Sequence, residues 1–184
     1  MWNKLSQKHT SGLPTGVTVH SLIPHADNRG VLTEIHRNYW PQCQQMLQYN
    51  HVASNPNALR GVHVHPQHTD YLYVSSGCMY LGLVDISKES STFMQSWQLQ
   101  LEANEHIAIT IEPGIAHGFY FAESGSYIYG VDAYWDMADE LGCSWNDPQL
   151  NLDWPCSHPI LSARDQQAGS LEQMIDDYHR LTKE

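Results

Sequence analysis

The sequence predicts an all-β domain, a small barrel or sandwich with one short helix near its C-terminus. Three observations predict it. Many short runs of alternating or β-branched residues are separated by turn signals. Helical periodicity begins only after Ser170. Two histidines lie two residues apart in Arg60-Gly61-Val62-His63-Val64-His65, and His117 follows the Pro113-Gly114 turn. Alternate residues of a strand share a face, so His63 and His65 are expected to enter one interior, with His117 arriving on a second strand.

Residues 1–16 are polar and punctuated by Gly and Pro, and are read as an N-terminal arm. Gly16 to Ile23 alternates as a strand does. Asp27-Asn28-Arg29-Gly30 is a turn signal, and Val31 to His36 is read as the next strand. From Gln44 to Val52, polar side chains recur at alternate positions. Tyr71–Val74 is closed by Ser75-Ser76-Gly77 and is expected to pair with Met79–Val84. Further strands are expected over Trp97–Leu101, Ile107–Ile111, Gly118–Phe121 and Tyr127–Ala133. The helix is placed at 170–182, capped by Ser170 and packed outside the barrel. With no repeat or linker in view, residues 1–184 are read as one domain. Trp145, Trp154 and Pro155 are expected to close one end of it.

The chain carries a net charge of −11 with nine Lys plus Arg, and 41% of it is hydrophobic. That excludes a basic stripe for nucleic acid. Its apolar runs are too short for a membrane span. With no apolar leader after Met1-Trp2-Asn3-Lys4, it is expected to be soluble and cytoplasmic. An anionic ligand would need arginines inside a cleft, and Arg29, Arg60 and Arg164 are the candidates. Cys43, Cys78, Cys143 and Cys156 show no paired spacing and are expected to be free thiols, Cys78 as a small buried hydrophobe. His9, His51, His68, His106, His158 and His179 are read as surface or loop residues.

Several motifs then fall in a distinctive order: Asp27-x-Arg29-Gly30, Gln48-x-Asn50, Arg60-Gly61-x-His63, Gly77…Asp85, Ser91-Thr92-Phe93, and Pro113-Gly114-x-Ala116-His117-Gly118-Phe119. Trp145-Asn146-Asp147-Pro148, Asp153-Trp154-Pro155 and Leu161-Ser162-x-x-Asp165 end the series. Over roughly residues 17–170 the chain resembles the dTDP-4-dehydrorhamnose 3,5-epimerase family, the RmlC-type branch of the cupins. The resemblance implies a cupin double-stranded β-helix, or jelly roll, with a short C-terminal helical segment. It implies a homodimer that exchanges N-terminal strands and binds a nucleoside-diphosphate sugar. The activity implied is epimerisation of a 4-keto-6-deoxy sugar at C3 and/or C5, in deoxysugar or surface-polysaccharide synthesis, with no cofactor.

A proton beside a ketone needs a base of near-neutral pKa, a carboxylate to orient that base, and an acid on the opposite face. The resemblance puts these roles on His63, Asp165 and Tyr129. It implies that Arg60 holds the phosphates or the sugar, and that Arg29, Glu34, Gln48, Asn50 and His117 line the cleft, with Arg164 a weaker candidate.

Two positions depart from the family. Its lysine, near the developing enolate oxygen, aligns with Asp70, and no lysine lies between Lys8 and Lys88. A family tyrosine that shapes the sugar pocket aligns with Trp135. The same residues also resemble the two metal motifs of cupins: His63-x-His65, Asp70 and Gly77, then Pro113-Gly114-x-x-His117, with Phe121 where an Asn is usual. Three imidazoles and a carboxylate suit a divalent transition metal. Two further readings therefore stand beside the epimerase. One is a metal-dependent cupin isomerase or oxygenase with ligands His63, His65, Asp70 and His117. The other is a non-catalytic sugar-nucleotide binder.

Overall fold

A computed structural model describes residues 1–6, 12–40, 44–134 and 136–182. Trp135, Cys43 and His9 lie outside the described residues. The strands, in chain order, are Asn3–Lys4 (β1), Val17–Ser21 (β2), Pro24–Asp27 (β3), Gly30–Thr33 (β4), Gln48–Ser54 (β5), Ala58–Val64 (β6) and Asp70–Ser76 (β7). Cys78–Asp85 (β8), Ser96–Glu102 (β9), Ile107–Ile111 (β10), Ile115–Phe121 (β11), Gly125–Val131 (β12) and Leu141–Gly142 (β13) follow. Two helices, Ala163–Gln166 (α1) and Leu171–Leu181 (α2), come last.

Two sheets face one another. One has the order β1-β9-β8-β11-β6-β13 and the other β2-β10-β7-β12-β5, which is the expected jelly roll. Residues alternate across each strand, and the inward set forms the inner core. Leu72 and Val74 of β7, Leu81 and Leu83 of β8, Ile109 and Ile111 of β10, and Phe121 of β11 pack there. The outer face of the six-stranded sheet carries Leu59, Val62, Val64 and Tyr120, and α2 covers it with Leu171, Met174, Ile175 and Tyr178. Ser170 caps α2 as expected, its side chain accepting a bond from the Gln173 backbone N–H. Tyr71 and Ala108 line the outer face of the other sheet, where Ile35 and Trp40 pack over them.

Several local expectations change. The strand read over Val31–His36 is shorter, and forms a hairpin with Pro24–Asp27 instead of joining either main sheet. The arm contains a strand, β1, paired in parallel with β9. Cys78 is half-buried, accepting a 3.1 Å bond from Gln100, and Cys143 is buried. Trp154 is buried against Trp2, but Pro155 is exposed.

One irregularity positions the site. In the β6–β11 ladder His117 faces His63 while Phe119 faces Arg60, so β6 holds one extra residue at Gly61-Val62. This bulge resets the alternation of β6. Leu59, Val62 and Val64 face outward, whereas Arg60, His63 and His65 all line the inner cleft. Gly61 has φ +117°, and a Cβ there would lie 2.7 Å from the Gly118 Cα and 2.8 Å from the His117 carbonyl oxygen. Gly61→Ala is therefore expected to destabilise the fold by at least about 2 kcal/mol, read as a lower denaturant midpoint.

Candidate active site

One cleft between the sheets gathers most of the candidate residues. Arg60 and His63 of β6, His65 just beyond it, Asp70 and Leu72 of β7, His117 and Phe119 of β11, and Tyr127 and Tyr129 of β12 line it, with Val52 from β5. His68, Glu140, Ser162, Arg164 and Asp165 complete the lining.

His63 sits at the mouth, against the chain that follows the barrel. Its Nε2 is 2.7 Å from Asp165 Oδ1. Helix α1 places that carboxylate. The Ser162 hydroxyl accepts a 3.0 Å bond from the Asp165 backbone N–H, which turns Asp165 inward in the first helical turn. Burial works to raise the Asp165 pKa, but the His63 and Ser162 bonds outweigh it and hold the carboxyl below its usual range. Glu140 lies on the other side, 3.5 Å from His63 Nδ1. Arg164 clamps Glu140 through both guanidinium nitrogens, one at 2.9 Å, and its Nη2 also lies 2.9 Å from His63 Nε2. Burial opposes ionisation of Glu140 as well, and the Arg164 bond prevails, lowering its pKa.

The floor is a second cluster. Asp70, the first residue of β7, is buried, with its Oδ2 3.2 Å from His117 Nε2 and 3.4 Å from His65 Nε2. His68 stacks on His65 with ring centroids 4.1 Å apart and places its Nε2 3.8 Å from Asp70 Oδ1. Burial pushes the His65 pKa down to about 3, with its imidazole neighbours adding to the effect. Burial acts the same way on His117, but the bond and charge of Asp70 outweigh it and raise the His117 pKa. Asp70 is lowered in turn: the His117 bond and the surrounding imidazoles overcome its burial. On β12, burial raises the Tyr129 pKa, reinforced by the Asp70 and Glu140 charges, so the phenol keeps its proton.

The sequence candidates therefore divide. His63, Arg60, His117, Tyr129, Arg164 and Asp165 meet in the cleft, with His65 and Asp70 at its floor. Gln48 and Asn50 lie on β5, bonded to each other at 3.0 Å, on the same strand face as Val52. Arg29 and Glu34 do not reach the cleft. Arg29 is at the tip of the β3–β4 hairpin, 2.6 Å from Asp27, and Glu34 pairs with Arg37. Of the metal candidates, His65, Asp70 and His117 have ligand atoms within 4.8 Å of one another, and His63 is not among them. His68 corrects the surface assignment: it is 3% exposed. Glu140 was not singled out in the sequence, because it follows a short irregular segment and carries no motif.

The profile of the dTDP-4-dehydrorhamnose 3,5-epimerase family matches residues 14–173. The enzyme of that name from Salmonella typhimurium is 34% identical over 134 residues, spanning 70% of this chain and 73% of its own. The Mycobacterium tuberculosis epimerase structure superposes with a TM-score of 0.81 at 26% identity, covering 91% of this chain and 94% of that one. A Legionella pneumophila 3,5-epimerase, solved with dTDP-4-keto-L-rhamnose, superposes at 0.79 with 26% identity over 89% of this chain and 92% of its own. Among the described residues, no helix is long and apolar enough to cross a membrane. With its profile, its relatives and its fold in agreement, the chain belongs to the dTDP-4-dehydrorhamnose 3,5-epimerase family and is an epimerase.

Proposed function

We propose that this chain epimerises a nucleoside-diphospho-4-keto-6-deoxy sugar, with His63 as base, Asp165 as its orienting partner and Tyr129 as acid. The supporting observation is the 2.7 Å His63–Asp165 pair opening into the same cleft as a protonated Tyr129. Asp165 fixes the imidazole and balances the imidazolium that forms. The base takes the proton from the carbon beside the ketone, and the bonding pair moves onto the ketone oxygen as an enolate. Tyr129 then gives its proton to the opposite face of that carbon, and the pair on oxygen returns to re-form the ketone. Solvent reloads Tyr129 and unloads His63, so one solvent hydrogen enters at each inverted carbon. Arg60, exposed at the cleft wall, is the group for the diphosphate.

The reaction is expected to label the product from D2O. In His63→Ala, both labelling and turnover should fall by about 10²-fold or more. Undiminished labelling in that variant would remove His63 as the base. Tyr129→Phe should separate the two events: the substrate still exchanges its α-hydrogen, but inversion falls by about 10²-fold. Loss of both together would instead make Tyr129 a binding residue.

The functional unit is proposed to be a homodimer that exchanges N-terminal segments. Ile23, Val31 and Leu32 are 72%, 59% and 62% exposed on or beside the β3–β4 hairpin, a costly surface for an isolated chain. Arg29 and Glu34, which belong to the substrate set by family resemblance, lie away from their own chain's cleft. A second copy provides them a way to a cleft. Sedimentation velocity should show a dimer, and Val31→Asp with Leu32→Asp should yield a folded monomer of lower activity. A monomeric wild-type chain would sink this arrangement. The nucleotide-linked substrate and the free thiols Cys78, Cys143 and Cys156 fit a reducing cytoplasm, which cell fractionation checks.

A further inference from the structure

We propose that the cleft floor is a binding site for a divalent transition metal, held by His65 Nε2, His117 Nε2 and the Asp70 carboxylate. His68 and Asp139 act behind these ligands.

The spacing fits one ion. With metal–nitrogen and metal–oxygen bonds of about 2.1 Å, ligand atoms at tetrahedral angles lie roughly 3.4 Å apart. The Asp70 Oδ2 is 3.4 Å from His65 Nε2 and 3.2 Å from His117 Nε2, and all three ligand atoms lie within 4.8 Å of one another. The three residues are buried, on β7, on β11 and just beyond β6, so their positions are set by the sheets.

The outer partners fix the imidazoles in the ligating tautomer. His117 Nδ1 donates to the Ile115 carbonyl oxygen at 3.1 Å. His65 Nδ1 faces the Asp139 carbonyl oxygen at 3.4 Å. His68 Nδ1 donates to Asp139 Oδ2 at 2.7 Å. Each Nδ1 therefore has an outer acceptor, and each Nε2 is the nitrogen turned toward Asp70. A divalent cation would take the place of the hydrogen shared between Asp70 and His117 and bind the carboxylate and the imidazoles together, releasing a proton. Two imidazoles and one carboxylate suit Fe(II), Co(II), Ni(II) or Zn(II), and leave coordination positions free. His63 is outside the set, bonded to Asp165, so it keeps its own proton chemistry.

The site's role in catalysis rests on the epimerase reading; its metal binding does not. Among the described residues no lysine lines the cleft, and a metal at the floor is the cation placed to meet the enolate oxygen.

The test uses untagged protein purified without chelator. Elemental analysis is followed by titration of chelator-treated protein with Zn(II), and with Co(II) read by its visible absorption. About one ion per chain is expected, with affinity reduced at least tenfold in His65→Ala and in Asp70→Asn, and retained in His63→Ala. Circular dichroism confirms that each variant is folded. Absence of saturable binding in the wild type, or equal binding in folded His65→Ala, overturns the site. D2O labelling of a 4-keto sugar nucleotide then compares metal-free and metal-loaded protein. Labelling that needs the metal supports the catalytic role, and labelling equal in both forms overturns that role. Stoichiometric metal without labelling in either form leaves the site standing and fails the epimerase reading.

Discussion

The contact on which the site depends is the approach of β6 to β11 at Gly61. Two strands run so close there that the His117 carbonyl and the Gly118 Cα occupy the space of a side chain. The extra residue accommodated at this point puts Arg60 and His63 on one face, although they are three apart. A regular strand would send one of them outward. Arg60 and His63 therefore share a wall because of a backbone irregularity.

Around that wall, acid groups are buried only where a partner meets them. One chain of contacts runs Arg164–Glu140–His63–Asp165 at the mouth. A second runs Asp139–His68–Asp70–His117 at the floor. An unpaired carboxylate in either would cost several kcal/mol. The pairing explains why the site tolerates so many ionisable groups, and why truncating one of them is felt by its neighbours. The imidazole proposed as base belongs to the first chain of contacts, and the proposed metal ligands Asp70 and His117 belong to the second.

The fold was legible because its signals are local. Turn residues and alternation located most strands, and Ser170 located the last helix to within a residue at each end. The Pro24–Asp27 strand was missed because nothing in its sequence alternates, and its four residues are exposed. In the cleft, family motifs singled out His63, Asp165, Tyr129 and Arg60, which the structure places together. His68 and Glu140 were invisible for a physical reason. Their contacts, to Asp139 and to Arg164, join segments that only the folded chain brings together. His68 in particular looks like a loop residue until the Asp139 segment is laid over it.

The distribution of charge sets how a ligand arrives. The chain is formally −11 with nine Lys plus Arg, and among the described residues only Arg60 and Arg164 of these line the cleft. The doubly negative diphosphate of the proposed substrate would thus be repelled at long range and attracted over the last few ångströms, near Arg60. Beyond a Debye length of about 10 Å at 0.1 M salt the repulsion is screened, whereas the short contact is not. Moderate salt should therefore speed capture, the opposite of the behaviour of enzymes that draw anions in with a basic surface.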